Sequence, residues 1–390
     1  MKRKLLGALL SVAMVASLLV GCGSAATTEA PAADAAPAAT EEAAPAEEAA
    51  PAEEAAPAAD AGGALIGVAM PTKDLQRWNQ DGDNMKTQLE AAGYQVDLQY
   101  ASNDIQTQVS QIENMISNGC KCLVIASIDG DSLGTVLAQA KEAGIPVIAY
   151  DRLIMNTDAV TYYATFDNYM VGTKQGQYLE EKLDLKNADG PFNIELITGD
   201  PGDNNARFFF GGAMDVLQPY IDAGKLVIPS GQVDFDTVAT PNWSTEEAQK
   251  RFENIIASNY SDGTKLDAVL ASNDSTAQGV AAALEANYDV DKLGWPLLTG
   301  QDCDIVSVQN MIAGKQSMSI FKDTRDLAAK TVEMVDAIMK GGEAPVNDTK
   351  TYDNGTGIIP SYLCEPVFAD VDNYKELLID SGYYTEADLQ

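Results

Sequence analysis

From residue 64 onwards, short apolar runs alternate along the chain with longer amphipathic segments. The runs ALIGVAM, YQVDLQY, CLVIAS and PVIAY have the length of buried strands, and each segment between them has apolar residues at helical spacing and ends in Gly. Asp104 and Asp131 stand where helix N-caps are expected. The alternation continues through the second half of the chain. It predicts repeated β-α-β units, and therefore parallel sheets covered by helices on both faces.

The length of this region favours two sheets over one. Residues 64–390 suffice for two domains of ordinary size. Open sheets rarely exceed about ten strands. We therefore expect two α/β lobes, each with a parallel sheet of five or six strands.

Polar and aromatic side chains follow the predicted strands in both halves. Ligands of open parallel sheets bind beyond the carboxyl ends of the strands. The residues at these positions, together with one loop Trp, are Arg77, Trp78, Asp151, Arg152, Asn205, Trp243, Asn273, Asp274, Asp302 and Lys322. A polar residue at the end of one strand would indicate only an ordinary turn. Because the ends of many strands meet at the same edge of a parallel sheet, polar residues at all of them predict a binding site.

The chemistry of this set suits a sugar. A hydroxyl both donates and accepts, so it can bind a carboxylate and a cationic donor at once. The apolar face of a pyranose packs on an aromatic plane, and Trp78 and Trp243 offer two. A phosphate ligand is disfavoured, because no glycine-rich phosphate loop follows a strand and the acids of GDPGDNN would repel it.

Several of these residues have a purely structural alternative. Asp151 and Arg152 could pair only with each other to orient their loop. We expect Asp274 to cap the helix that follows and Asn273 to face the ligand. Asp302 could instead cap the next helix, and the role of Asp203 could be merely to shape the turn around Asn205.

The N-terminal region predicts export. Residues 1–21 join a basic start to an apolar run, which is typical of a signal peptide, and LVGC resembles the lipobox of bacterial lipoproteins, with Cys22 as the lipidated residue. The alternative is a plain signal peptide with an incidental Cys. Residues 22–63 contain EEAAPA three times in tandem and predict a disordered, extended tether.

Charge and composition exclude several functions. The chain has 58 acidic and 25 basic residues; without the nine acids of the tether and the three bases of the signal, 49 and 22 remain. This surplus argues against nucleic acid as a partner. The chain contains no His, which excludes Ser-His-Asp and Cys-His catalysis and a His-ligated zinc site. Cys120 and Cys122 open an apolar strand, and we expect them in the core rather than at a metal.

The strings QRW, SQIENMI, LVIA, AYDR, FDN, DNNA, ASND, TGQD and FKDTRDLA occur in this order, followed by NDTKTYDNG at 347–355. Together they resemble the xylose-binding and multiple-monosaccharide-binding proteins of ABC sugar importers, over nearly all of 65–374. The resemblance implies a type I periplasmic binding protein fold, with two flavodoxin-like lobes joined by three hinge crossovers. The implied lobes are an N-terminal lobe, 64–166 with 323–345, and a C-terminal lobe, 167–322 with 346–390.

The resemblance also implies a function. The lobes would close on a monosaccharide, an aldopyranose such as xylose, glucose or galactose, and deliver it to an ABC permease and its ATPase. The implied ligand-binding residues are Arg77, Trp78, Asp151, Arg152, Asn205, Trp243, Asn273, Asp302 and Lys322. No catalytic residue, metal or cofactor is expected. The protein would be a monomer on the outer face of the cytoplasmic membrane, held by its lipid alone.

Two alternatives to transport remain. A sugar-sensing receptor module for chemotaxis or signalling would have the same site. A glycoside-processing enzyme is disfavoured, because strong donors flank every acid of the set and we expect them to lower the carboxyl pKa values. The secretion signal and the absence of a basic DNA-binding segment exclude a transcription regulator. Sequence does not determine which aldose is preferred.

Overall fold

The structure is a computed structural model, and it describes residues 63–390. The predicted signal peptide, Cys22 and nearly all of the tether lie outside these residues. The strands are β1 Leu65–Met70, β2 Gln95–Tyr100, β3 Cys122–Ile125, β4 Val147–Tyr150, β5 Val160–Phe166, β6 Phe192–Ile197, β7 Leu226–Val227, β8 Ala268–Ala271, β9 Leu297–Leu298, β10 Ser319–Phe321, β11 Ser361–Cys364 and β12 Val367–Ala369.

The helices alternate with these strands as the hydrophobic pattern predicts. They are α1 Gln76–Ala91, α2 Ile105–Ser117, α3 Gly134–Glu142, α4 Asn168–Lys182, α5 Asn204–Asp222, α6 Phe235–Val238, α7 Thr245–Asn259, α8 Asp274–Asn287, α9 Val290–Leu293, α10 Ile305–Ile312 and α11 Thr324–Met339, with a 3-10 turn at Pro241–Trp243 and a π-helical turn at Lys375–Asp380. Among residues 63–390, none of the helices combines the length and the apolar character that a membrane crossing needs.

Two parallel sheets define two lobes. The N-terminal lobe has a six-stranded sheet in the order β11-β5-β4-β3-β1-β2, and the C-terminal lobe has a four-stranded sheet in the order β7-β6-β8-β9. The short antiparallel pair β10-β12 packs with the C-terminal lobe. The chain passes between the lobes after β5, after β10 and between β11 and β12, and these are the three crossovers.

Buried apolar runs hold each sheet between its helices. Strands β3 and β4 are buried along their whole length, and separate clusters cover the two faces of the first sheet. Cys120 and Cys122 lie in these clusters, as expected. Two further clusters flank the second sheet in the same way. Because the cores are filled by residues of the strands and helix faces, the polar strand ends are left at one edge of each sheet.

The structure corrects two local predictions. Asp104 caps α2 by accepting a 2.7 Å hydrogen bond from the Thr107 amide, as predicted. Asp131 does not cap α3, because the helix begins only at Gly134 and the Asp131 carboxylate instead accepts from the Asn156 side chain. The second sheet has four strands rather than five or six, since β10 leaves it to pair with β12.

The assignment of all of 346–390 to the C-terminal lobe is also corrected. Strand β11 pairs in parallel with β5 and so completes the edge of the N-terminal sheet. The loop before it is held there too, because Asn354 donates to the carbonyls of Ile154 and Thr157. The chain returns to the C-terminal lobe at β12. The other predicted lobe boundaries stay predictions.

Candidate functional site

The predicted site residues converge on one cleft between the lobes. All nine line it: Arg77, Trp78, Asp151, Arg152, Asn205, Trp243, Asn273, Asp302 and Lys322. None of them is more than 8% exposed. Arg77 and Trp78 lie in the first turn of α1, and Asp151 and Arg152 directly follow β4. The parallel sheets therefore bring together residues that are far apart in sequence.

Arg77 is the centre of an ion-pair network that joins the lobes. Its Nε donates to Asp81 at 2.9 Å and its Nη2 donates to Asp151, both in the N-terminal lobe. Its Nη1 lies 3.4 Å from Asp302 Oδ1 of the C-terminal lobe. Asp302 also pairs with Lys322 Nζ at 2.9 Å. The two lobes thus share one buried cation between three carboxylates.

Arg152 forms a second contact between the lobes. Its Nη1 donates to the carbonyls of Ser127 and Ile128, which fixes the side chain against the end of β3. Its Nε lies 2.9 Å from Asp203 Oδ2 of the C-terminal lobe without the alignment of a hydrogen bond. The guanidinium also lies 4.9 Å from the centre of the Trp78 ring. Among residues 63–390, the Nε–H of this cleft-lining side chain therefore has no hydrogen-bond acceptor.

Trp243 supplies a second indole from the opposite lobe. Its Nε1 donates to Asp203 Oδ2 at 3.1 Å, and Ser275 donates to its carbonyl. A Cβ added to Gly199 would lie only 2.0 Å from the ring, so glycine is required after β6 for the indole to lie there. Asp203, which the sequence suggested as a mere turn residue, thus orients Trp243 and faces Arg152.

Asn205 ties the two lobes at the inner end of the cleft. Its Nδ2 donates to the Asp151 carbonyl at 2.7 Å. Its Oδ1 accepts from Tyr163 and Asn168. These contacts use both acceptor positions of Oδ1 and one of the two Nδ2 hydrogens, so Asn205 positions the Asp151 backbone and keeps one N–H for another acceptor.

The expected roles of Asn273 and Asp274 are corrected. Asn273, and not Asp274, is the N-cap of α8 and forms a capping box with Thr276. It lines the cleft as well. The Asp274 carboxylate points away to Gln316 and Ser319 and accepts from the Asp304 amide. Asp274 therefore braces the turn that holds Asp302 instead of capping the helix.

Three cleft residues have left-handed backbone conformations. Asp151, Trp243 and Asp302 have φ of 59°, 55° and 96°. Such conformations cost of order 1–3 kcal/mol for residues other than Gly and concentrate at functional sites. Here they direct three side chains into the cleft from the ends of strands and turns.

Six further residues line the cleft that the sequence did not single out as ligand-binding. They are Leu75, Asp203, Phe209, Ser275, Gln301 and Asp304. Phe209 lies one helical turn after Asn205 on α5, and this spacing could have found it. Gln301 and Asp304 flank Asp302 in the string GQDCD, so their proximity in sequence was also a signal.

Burial and charge move the carboxyl pKa values in opposite directions. Burial raises the pKa of Asp151, but Arg77, Lys322 and Arg152 outweigh it, and the net shift is downward. Burial, reinforced by Asp302, raises the pKa of Asp304 to about 7 against the opposing effect of Arg77 and Lys322. Burial likewise raises the pKa of Asp203 despite Arg152. Within the predicted set, flanking donors lower the pKa of Asp151 as expected, but the expectation is wrong for Asp274, because burial, Asp304 and Asp302 raise its pKa well above the usual range.

Three buried polar atoms of the cleft have no hydrogen-bond partner among the described residues. They are Arg152 Nε, Gln301 Oε1 and Asp304 Oδ1. Buried polar groups are nearly always paired, since an unpaired one costs about 1–3 kcal/mol. One donor and two acceptors in a lined cleft fit a ligand that has hydroxyl groups.

A family model described as periplasmic binding protein domain matches residues 66–343. The chain belongs to this periplasmic binding protein family. Members of the family are solute-binding proteins and not enzymes. The predicted fold, with two parallel-sheet lobes of the type I periplasmic binding protein, is confirmed.

Individual members of the periplasmic binding protein family are similar over most of the chain. The multiple sugar-binding periplasmic receptor ChvE of Rhizobium radiobacter is 52% identical over 82% of this chain and 90% of its own. The D-xylose-binding periplasmic protein of Escherichia coli K12 is 37% identical over 83% of this chain and 92% of its own. A crystal structure of an ABC transporter solute-binding protein from Clostridium phytofermentans with bound β-D-glucose is 77% identical, with a TM-score of 0.82, and covers 84% of this chain and all of that one.

The raised pKa of Asp304 predicts a specific pH dependence of stability. The carboxyl binds its proton more tightly in the folded state, about 7, than at the ordinary value of 3.8. Its contribution to folding is thus fully present below about pH 4 and is lost as the pH rises to about 7. Without sugar, Asp304→Asn should gain roughly 2–4 kcal/mol of unfolding free energy relative to wild type between pH 4 and 8, in denaturant titrations.

The matched control for this titration is Asp83→Asn, which removes an exposed carboxylate of α1. As a substitution at an exposed position, Asp83→Asn should change the unfolding free energy by no more than about 0.5 kcal/mol. Parallel pH profiles for Asp304→Asn and wild type would contradict a raised pKa at Asp304.

Proposed function

We propose that the protein is an extracytoplasmic solute-binding lipoprotein that captures a monosaccharide between its lobes and delivers it to an ABC transporter permease and its ATPase. The ligand class is an aldopyranose such as xylose, glucose or galactose. The protein acts as a monomer on the outer face of the cytoplasmic membrane and reaches the permease on its tether.

The observation that carries the proposal is the composition of the cleft. The cleft combines acceptors and donors, with Asp151 and Asp302 as carboxylates and Arg77, Arg152 and Lys322 as cations. The indoles of Trp78 and Trp243 come from opposite lobes and offer planes for the apolar C–H faces of a pyranose. Two sugar hydroxyls would pair the three unpaired atoms: one can accept from Arg152 Nε and donate to Asp304 Oδ1, and a second can donate to Gln301 Oε1.

The comparisons support the ligand class. The bound ligand of the 77% identical solved protein is β-D-glucose, and the E. coli relative is named for D-xylose. Both sugars are aldopyranoses with mostly equatorial hydroxyls. Since the cleft offers charged groups on every side, we expect more than one aldose to bind.

The magnitude of binding is set by opposing terms. A hydrogen bond to a charged group contributes about 1.5–3 kcal/mol, and several of them exceed the roughly 8 kcal/mol of a micromolar complex. The excess is consumed by desolvating the cleft, by ordering the sugar and by closing the lobes. We therefore expect micromolar or tighter affinity.

A second candidate is a sugar receptor for signalling. It is favoured by the name of the 52% identical R. radiobacter protein, a multiple sugar-binding receptor. A receptor whose closed, sugar-loaded form is recognised by a sensor would bind the sugar in the same cleft as a transport protein does. This role would add to delivery and not replace it.

Titration calorimetry with xylose, glucose, galactose, arabinose, fucose and ribose tests the ligand class. At least one aldose should bind with micromolar or tighter affinity. Arg152→Ala should weaken that binding about 10- to 100-fold, because a charged donor is lost and Asp203 keeps a buried charge without its partner.

Arg207→Ala provides the control for an arginine outside the cleft. Arg207 lies on α5 with about half of its side chain exposed; its guanidinium pairs with the exposed Asp236 and lies 4.2 Å from the centre of the Phe235 ring. Its removal should leave affinity unchanged. The ligand class is wrong if no sugar of the panel binds, and the role of Arg152 is wrong if both variants bind like wild type.

The lipid anchor has a test of its own. Expressed in a bacterium that processes lipoproteins, the wild-type protein should enter the detergent phase of a Triton X-114 extraction, because an acyl chain is buried in the micelles. Cys22→Ser removes the lipidated thiol and should shift the protein to the aqueous phase. Recovery of both proteins in the aqueous phase would show that Cys22 carries no lipid.

A further inference from the structure

The C-terminal segment, residues 370–390, packs on the C-terminal lobe. Leu378 and Tyr384 are buried in one apolar cluster with Cys303, Val308 and Met311. This cluster covers α10 and the turn that carries Asp302. The ring of Tyr384 is therefore packed in the core of the C-terminal lobe.

The hydroxyl of Tyr384 reaches the other lobe. It accepts from Gln76 Nε2 at 2.7 Å and from Gln80 Nε2 at 3.1 Å, and it donates to the Cys303 carbonyl at 2.9 Å. Gln76 and Gln80 lie one turn apart on α1 of the N-terminal lobe. A single hydroxyl therefore joins α1 to the turn after β9, with one donated and two accepted hydrogen bonds.

Both ends of this contact are next to cleft residues. Gln76 directly precedes Arg77, and Cys303 directly follows Asp302. The Gln76 side chain makes a further contact with the C-terminal lobe: its Oε1 accepts a hydrogen bond from the Ile305 amide at the start of α10. Asp302 and Cys303 both have positive φ, 96° and 55°, so this turn needs external support.

We propose that Tyr384 is a positioning residue for ligand binding, whose hydroxyl latches the two lobes together from outside the cleft. The inference rests on the proposed function. Tyr384 is not among the residues that line the cleft, yet the partners of its hydroxyl come from different lobes, so its hydrogen bonds form when the lobes are together. An interaction made only in the closed arrangement raises the population that holds the sugar and therefore raises apparent affinity.

The adjacent tyrosine keeps the segment in place at the hinge. The Tyr383 hydroxyl lies 3.1 Å from Thr324 Oγ1, at the start of α11. Its ring packs on Phe321, and Arg325 donates to the Ser381 carbonyl. These contacts anchor the segment beside the crossover after β10. The Tyr383 hydroxyl also donates to Gln80 Oε1 of α1 at 3.3 Å, so both tyrosines hold Gln80, whereas the bond to Gln76 is made by Tyr384.

The test is Tyr384→Phe, which removes the hydroxyl and keeps the ring in its cluster. Calorimetry and stopped-flow release of the sugar identified in the panel should show about three- to tenfold weaker affinity, as expected for one neutral hydroxyl. The loss should come from faster dissociation, because the latch acts after the lobes have met. Gln76→Leu should weaken binding similarly, and the double variant should lose little more than either single one.

The matched control is Tyr374→Phe. Tyr374 lies in the same segment and packs against the same cluster, and among residues 63–390 its hydroxyl makes no hydrogen bond. The sugar affinity and the sugar release rate of Tyr374→Phe should equal those of wild type. If Tyr384→Phe lowers the melting temperature but leaves affinity and release unchanged, Tyr384 is only structural and the latch is refuted.

A failure of the proposed function gives a different result. In that case the wild-type protein binds no sugar of the panel. Small-angle scattering of the ligand-free proteins then decides about the latch alone. A larger radius of gyration for Tyr384→Phe than for wild type and Tyr374→Phe would support it, and equal radii would overturn it.

Discussion

The buried guanidinium of Arg77 is the constraint on which the arrangement of the lobes depends. It lies among Asp81 and Asp151 of one lobe and Asp302 of the other. A buried charge costs several kcal/mol unless it is paired. Burial lowers the pKa of Arg77, but the three carboxylates outweigh it and hold it well above the ordinary value. Asp81 and Asp151 pair the charge within the N-terminal lobe, and Asp302 adds a carboxylate from the other lobe, so the network links the closed arrangement of the lobes to the position of the Asp302 turn.

This requirement explains the unusual backbone around the cleft. Asp151 and Asp302 reach Arg77 from left-handed conformations, which the surrounding contacts must stabilise. Asn205 holds the Asp151 carbonyl, Asp274 accepts from the Asp304 amide, and Tyr384 holds the Cys303 carbonyl. The strain at the site is thus supported by residues around it, and a sugar that binds between the charges meets groups already in position.

Much of this arrangement could be predicted from the sequence. The periods of strands and helices are local patterns, and the geometry of parallel sheets follows a general rule. The gathering of all nine predicted residues in one cleft follows from that geometry. The cap of α8 was assigned to Asp274 instead of Asn273, because a helix start shifted by one residue decides which side chain caps it. The pairing of β11 with β5, the bond from Trp243 to Asp203 and the raised pKa of Asp304 depend on contacts between distant segments and on burial, which no local pattern encodes.

The decisive experiment is a crystal structure of the protein with the tightest-binding aldose of the panel. We predict one pyranose in the cleft between Trp78 and Trp243, with hydroxyls hydrogen-bonded to Asp151, Arg152 and Asp302. Arg152 Nε should then have a sugar oxygen as its acceptor. A sugar bound outside this cleft, or one that makes no contact with Asp151, Arg152 and Asp302, would contradict the proposed site.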